Sequence, residues 1–322
     1  MRIGYVEHPH HQKTNSTNFF INELIDRGFA LTRIKRDDFR LREAKTYDFL
    51  ILFQADECIS IASESGVKTL VIPMLDEALY RESLQFRYSE KLMYLSFSKV
   101  LHDFLTLNGC NSTYIQYWPK TVPVRTVSDR RPTIFFWERA PEHVREYDVL
   151  NWFRNYDCNF LFRKHRDPNH LNGIAQNYSI ADRVTHLPSS WLKHRDYLEI
   201  LSNIDVFVAP RRWEGIGLSM LEALVRGIPV VGLNSPTTNE YVITRMNGVL
   251  VNEKYKPLSV YDFREMSKKT IEMSAQGSKD YENNIHLFLN NFFNSKSDFY
   301  RRYASIPKSL TLRQYLFLMQ EG

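Results

Sequence analysis

Short apolar runs recur along the chain at residues 2–6, 30–34, 49–53, 69–72, 93–97 and 113–117, each long enough for one buried strand. Between them the apolar positions change period. Phe20, Ile21, Leu24 and Ile25 recur at helical spacing, Ser16 or Thr17 stands where a helix cap is needed, and Gly28 follows as a stop. Residues 59–65 and 98–107 repeat the helical pattern, while 8–15, polar throughout, reads as a loop. Strands alternating with helices predict a doubly wound α/β sheet.

The pattern restarts after a polar, proline-marked stretch from Trp118 through Pro119 and Pro123 to Arg131, which reads as a linker. Strands are expected at 133–137, 159–162, 183–187, 206–208, 230–231 and 248–251. Helices are expected around 149–153 and 197–202, then at 261–274 and 280–293, before an aromatic-rich close over 299–319. Two domains follow, 1–119 and 120–295, with a helical segment at 296–322. Their length lets each bury its own core.

Composition narrows the class. Hydrophobic residues at 43% and charged residues at 25% describe a water-soluble globular chain. No apolar run suits a signal peptide or a bilayer span, so a cytoplasmic protein is expected. Cys58, Cys110 and Cys158 lack metal-ligand spacing and suit a reducing compartment. The net charge of +5 raises the question of anionic partners. No zinc-finger or aromatic-basic signature points to nucleic acid. Arg33, Lys35, Arg36, Arg40, Arg42 and Lys45 are the densest basic run, a solvated helix face or a peripheral contact with anionic lipid at the inner membrane face.

The chemistry concentrates in residues 209–224, Ala-Pro-Arg-Arg-Trp-Glu-Gly-Ile-Gly-Leu-Ser-Met-Leu-Glu-Ala-Leu, set between the 206–208 run and Gly-Ile-Pro-Val-Val at 227–231. Strand, loop, helix and strand place this loop at the carboxyl edge of a parallel sheet, where ligands bind. Gly215 and Gly217 allow close backbone approach, and a helix starting near Leu218 offers N–H groups to an anion. Glu214 and Glu222 flank that position, and a carboxylate accepts two neighbouring hydroxyls at once. A diphosphate between two polyols, as in a sugar nucleotide, satisfies all of these features.

At these residues the chain resembles the retaining glycosyltransferases of family 4. The resemblance implies a GT-B fold, two Rossmann-like domains facing across a cleft with the donor on the second. It implies that Glu214 contacts the donor sugar, that Glu222 holds the ribose, and that Gly215, Ile216, Gly217 and Leu218 line the donor. It further implies an arginine after the first strand of the second domain, a position Arg139 fits, although Glu138 replaces the expected glycine. The basic residue expected a few positions later has Arg145 as its nearest match. Arg163, Lys164 and His165 end the second strand of that domain, either as a donor contact, with Lys164 the candidate, or as an exposed basic loop. The nucleotide base would lie near 185–191. Glu240 and Asn247-Gly248 match a downstream loop whose glycines are replaced here by Pro236, Thr237 and Thr238.

In the first domain the resemblance is topological only. His8, His10 and His11 follow the first strand on the acceptor side, suiting acceptor binding or proton handling, or a metal site, or only an exposed polar loop. Gln54 and Asp56 are secondary candidates. No Asp-x-Asp occurs, so neither a metal nor another cofactor is expected. The reading is a metal-independent retaining glycosyltransferase moving a sugar to a saccharide or lipid-linked acceptor, in surface glycan synthesis. The alternatives are an epimerase-like enzyme on the same donor and a non-catalytic sugar-nucleotide-binding scaffold.

Overall fold

A computed structural model describes residues 1–80, 86, 91–122, 130–165, 183–189, 192–294 and 312–321. The chain divides into unit 1, residues 1–116 and 283–322, and unit 2, residues 117–282. In unit 1, β1 (Arg2–Glu7), β2 (Ala30–Lys35), β3 (Phe49–Phe53), β4 (Lys68–Ile72), β5 (Leu92–Ser96) and β6 (Ser112–Tyr114) form a parallel sheet in the order β2-β1-β3-β4-β5-β6. In unit 2, β7 (Thr133–Glu138), β8 (Asn159–Lys164), β9 (Val184–Leu187), β10 (Val206–Val208), β11 (Val230–Leu233) and β12 (Gly248–Val251) form a second, in the order β12-β11-β10-β7-β8-β9. Both sheets are doubly wound and Rossmann-like.

The central apolar runs form strands because both faces of the sheets are covered there, while the edge strands β2 and β9 stay largely exposed. Leu50, Ile51 and Leu52 of β3 are fully buried, as are Val206, Phe207 and Val208 of β10. One side of the unit 2 sheet packs on Phe136, Val149, Trp152, Phe162, Val231 and Phe263. Truncating one of these rings to alanine costs about 3–5 kcal/mol.

Local expectations change in four places. Residues 8–15 hold a short helix, Pro9–Thr14, begun by Pro9 and capped by His8, whose Nδ1 accepts the His10 N–H at 3.0 Å. Thr17 precedes the helix Asn18–Ile25 but does not cap it with its side chain. Its hydroxyl donates instead to Glu7 Oε2 at 2.8 Å, inside the fold. The basic run lies along β2 and the short turns after it, not on one helix face.

The expected break between 274 and 280 is absent, and one helix runs Phe263–Asn294. Gly277 does not stop it. A Cβ there would lie 2.6 Å from the Trp118 ring, so the glycine serves a close approach. The first turns of this helix belong to unit 2, tied by Ser267 Oγ to Gly227 O at 2.6 Å and Ser274 Oγ to Leu224 O at 2.9 Å. From Asn283 it belongs to unit 1, where Phe292 and Phe293 pack on Phe49. The return to the first unit therefore begins before residue 296. The closing helix Leu312–Glu321 also lies in unit 1, with Arg313 Nε donating to Leu79 O at 3.0 Å. Among the described residues no helix is long and apolar enough to cross a membrane.

Candidate functional site

In unit 2 the chain builds outward from β7 through β8 to β9, then returns to the other side of β7 with β10. The crevice outside the carboxyl ends of β7 and β10 is therefore the topological switch point, where open α/β sheets bind ligands. Registering Val208 against Phe136 brings two segments to that edge. One is Arg139, directly after β7. The other is the 209–217 loop, which leads into the helix Leu218–Leu224. Gly217 precedes this helix in the left-handed region at φ 75°, and no side chain caps its first turn.

Two arginines meet over one indole at this edge. The Arg139 guanidinium lies 5.0 Å from the Trp137 ring and that of Arg163, from β8, lies 4.1 Å from it. Trp137 is held in place by its Nε1–H, which donates to His165 O at 2.9 Å. Arg163 is only 1% exposed, so it is no part of an exposed basic loop. Burial, and after it the charge of Arg139, lowers the pKa of Arg163. Two like charges in a partly dry crevice favour an anion.

Beside them stands Tyr197, its ring 6.1 Å from that of Trp137 and its hydroxyl donating to Ser219 O at 3.0 Å. Burial pushes the Tyr197 pKa well above its ordinary value and the Glu222 carboxylate pushes it further, while Arg139 and Arg226 act the other way. Glu222 and Arg139 thus act on one hydroxyl from opposite charges. Glu222 also bonds through Oε1 to His194 Nε2 at 2.7 Å. Sequence reasoning missed His194, Tyr197 and Trp137. Trp137 closes the expected strand 133–137 and Tyr197 opens the expected helix 197–202, where neither pattern marks a site residue.

Glu214 is 7% exposed, with Arg211 Nη1 at 3.5 Å from its Oε2. Gly215, Ile216 and Gly217 are buried, and Leu218 half-buried, at the start of the helix. The remaining basic candidates are engaged elsewhere. Arg145 is exposed and its Nε donates to Pro141 O at 2.9 Å. Lys164 Nζ lies 3.1 Å from the buried carboxylate of Glu146, which also has His186 Nε2 at 3.3 Å. Glu138, in the place of the expected glycine, is buried and accepts the Glu146 N–H at 3.2 Å.

The switch point of unit 1 lies between β1 and β3. His8, His10 and His11 stand together there, with ring centroids 6.1–6.5 Å apart. His11 Nδ1 meets Ser16 Oγ at 2.6 Å, and burial lowers its pKa to about 4, so the ring is neutral. Gln54, at φ 49° just after β3, donates through Nε2 to Glu77 Oε2 at 3.1 Å. Asp56 is buried in the turn that follows. Among the described residues no three His, Cys, Asp or Glu side chains are arranged to hold a metal.

Residues 164–287 match the family model described as Glycosyl transferases group 1. The match begins at the last residue of β8 and takes in the 209–224 segment. A 63-residue stretch is 38% identical to the lipopolysaccharide core biosynthesis mannosyltransferase LpsB of Rhizobium meliloti (strain 1021), covering 20% of this chain and 17% of that protein. A second relative, an uncharacterized 41.2 kDa protein in the cps region of Klebsiella pneumoniae, is 28% identical over 123 residues, 37% of this chain and 31% of that one. The chain thus aligns with less than a third of each curated relative. Among solved structures, Anabaena Alr3699/HepE in complex with UDP and glucose superposes with a TM-score of 0.62 over 90% of this chain and all of that one, at 12% identity. That likeness is one of fold, and with two parallel six-stranded sheets the fold is GT-B.

Proposed function

We propose that the chain is a glycosyltransferase of the retaining type, transferring a sugar from a nucleotide donor to a saccharide or lipid-linked acceptor in surface glycan synthesis. The observation that carries this reading is the pair Arg139 and Arg163 over Trp137 at the β7/β10 switch point. The match of residues 164–287 and the kinds of relative found support it.

A sugar nucleotide brings a diphosphate to this crevice and gains charge on it as the glycosidic bond breaks. Fixed guanidiniums stabilise that charge without reorganising, and the larger part of catalysis rests on this. Their planar forks also suit phosphate oxygens better than an ammonium does. Glu222, on the helix after the loop, accepts the ribose hydroxyls, and His194 orients its carboxylate. Glu214, before the helix, faces the transferred sugar. Retention follows if the departing phosphate takes the acceptor proton on the face it leaves. Unit 1 supplies hydrogen-bonding groups suited to acceptor hydroxyls, His8, His10, Gln54 and the neutral His11 among them. The arginines carry the charge role, so neither metal nor cofactor is required. The protein would act in the cytoplasm, with Lys35, Arg40, Arg42 and Lys45 available for anionic lipid.

A thermal-shift panel of UDP-, GDP-, ADP- and CMP-sugars tests the reading, since a ligand of the native state raises Tm. One donor family should shift Tm and release its nucleoside diphosphate only when an acceptor is added. No shift with any donor, or isomerised donor without acceptor, would overturn it. Activity that survives EDTA is expected as well.

A further inference from the structure

The loop that carries Glu214 is held by the next loop along the sheet. Ser235 Oγ donates to Arg212 O at 2.6 Å, and Thr237 Oγ1 donates to Glu214 O at 2.7 Å. Hydroxyls on alternate residues thus meet carbonyls on alternate residues, like two rungs of a ladder. Ser235 and Thr237 are both buried, Thr237 completely.

Thr237 holds an unusual backbone. Its φ of 71° and ψ of −57° lie close to a strained γ-turn, where a β-branched residue is an outlier. Such a conformation persists only when its surroundings over-determine it. Here they do. The Thr237 N–H donates to Glu240 Oε1 at 3.3 Å while its hydroxyl holds Glu214. The neighbouring Thr238 fills its own space, since its Cγ2 would lie 3.0 Å from a Cβ placed on Gly232. Glycine would adopt this φ without strain but would bring no hydroxyl.

We infer that Ser235 and Thr237 form a hydroxyl clasp that fixes the Glu214 loop. They are positioning residues for the transferred sugar, acting through Glu214 and not on the nucleotide. This inference rests on Glu214 facing the donor sugar. From this backbone conformation the Thr237 hydroxyl reaches the Glu214 carbonyl, which sits where the loop turns toward the helix Leu218–Leu224.

The test compares full-length Thr237→Gly, Thr237→Ser and Ser235→Ala with the natural chain. Hydrogen exchange is followed at residues 211–217, UDP and GDP affinity by calorimetry, and transfer in single turnovers. Thr237→Gly keeps the backbone and loses the hydroxyl. It should exchange about tenfold faster in that segment and transfer about tenfold more slowly, with nucleotide affinity within about twofold, as expected when one buried acceptor loses its donor. Thr237→Ser should restore most of both, and Ser235→Ala should reproduce the loss at a position with no backbone strain. Natural exchange and natural rate in Thr237→Gly would overturn the clasp. So would a loss of nucleotide affinity in step with rate, which would mean the whole pocket had collapsed. If the natural chain transfers from no donor, the exchange comparison still decides the clasp, and the transferase reading fails separately.

Discussion

At the switch point of unit 1, charges are matched with opposite charges; at that of unit 2, two guanidiniums share one indole. Glu7, fully buried at the end of β1, takes Arg33 at 2.6 Å and the Thr17 hydroxyl at 2.8 Å. Arg36 lies 2.8 Å from Glu57 and 3.5 Å from Glu77, and the histidine beside them is neutral. In unit 2, Arg139 and Arg163 lie close enough for the charge of one to lower the pKa of the other. The same sheet architecture therefore carries paired charges beside a neutral histidine in one unit and two guanidiniums against one ring in the other. A polyol acceptor suits the first and a diphosphate suits the second.

The largest expected effect lies in unit 2. Arg139→Lys should retain part of the donor affinity but transfer about 100- to 1,000-fold more slowly in single turnovers, because a point charge does not reproduce a fork placed on a developing phosphate charge. A near-natural rate would shift the charge role to Arg163 alone.

The next effect lies in unit 1 and is one of stability. His11 has a folded pKa of about 4, below its ordinary 6.5, because it is buried. The fold holds the neutral ring, so its contribution is complete above pH 6.5 and is lost as pH falls toward 4. The loss is about 1.4 kcal/mol per pH unit, about 3 kcal/mol in all. His11→Gln should flatten that part of the acid limb in urea unfolding measured between pH 7 and pH 4. An unchanged limb would show that the ring is not buried as a neutral group, and the contrast between the units would weaken.

The smaller effects separate the two carboxylates. Glu222→Ala should weaken free nucleoside diphosphate and donor alike, by about 1.5–3 kcal/mol, because both carry the ribose. Glu214→Gln should leave nucleoside diphosphate affinity nearly unchanged while lowering kcat on the order of a hundredfold. Calorimetry and single turnovers on the same proteins check both, and equal losses from either substitution would merge the roles.

Most strands were legible because a fully buried parallel strand leaves a continuous apolar run, as at 49–53 and 206–208. The 209–224 segment was legible because a turn needing Gly217 and a helix carrying Glu222 are local features. What escaped notice depends on partners far along the chain. The Pro9–Thr14 helix carries only polar side chains after Pro9 and so shows no apolar period. Gly277 reads as a break until Trp118 is placed against it. Arginines are almost never buried, and nothing near Arg163 in sequence reveals that Trp137, one strand away, covers it. Thr237 was the least legible, since a threonine in a glycine conformation contradicts its own propensity.

In the proposed function Arg139 receives a diphosphate, with the buried charge of Arg163 behind it. This role is tested most directly by calorimetry of UDP and GDP, each against its parent nucleoside, on the natural chain and on folded Arg139→Ala. The nucleoside diphosphate that binds the natural chain should lose at least about tenfold in affinity in the variant, as expected when a charge-assisted contact is removed. The nucleoside, lacking phosphate, should be indifferent to the substitution. Equal diphosphate affinity in the two proteins would show that Arg139 does not hold the diphosphate.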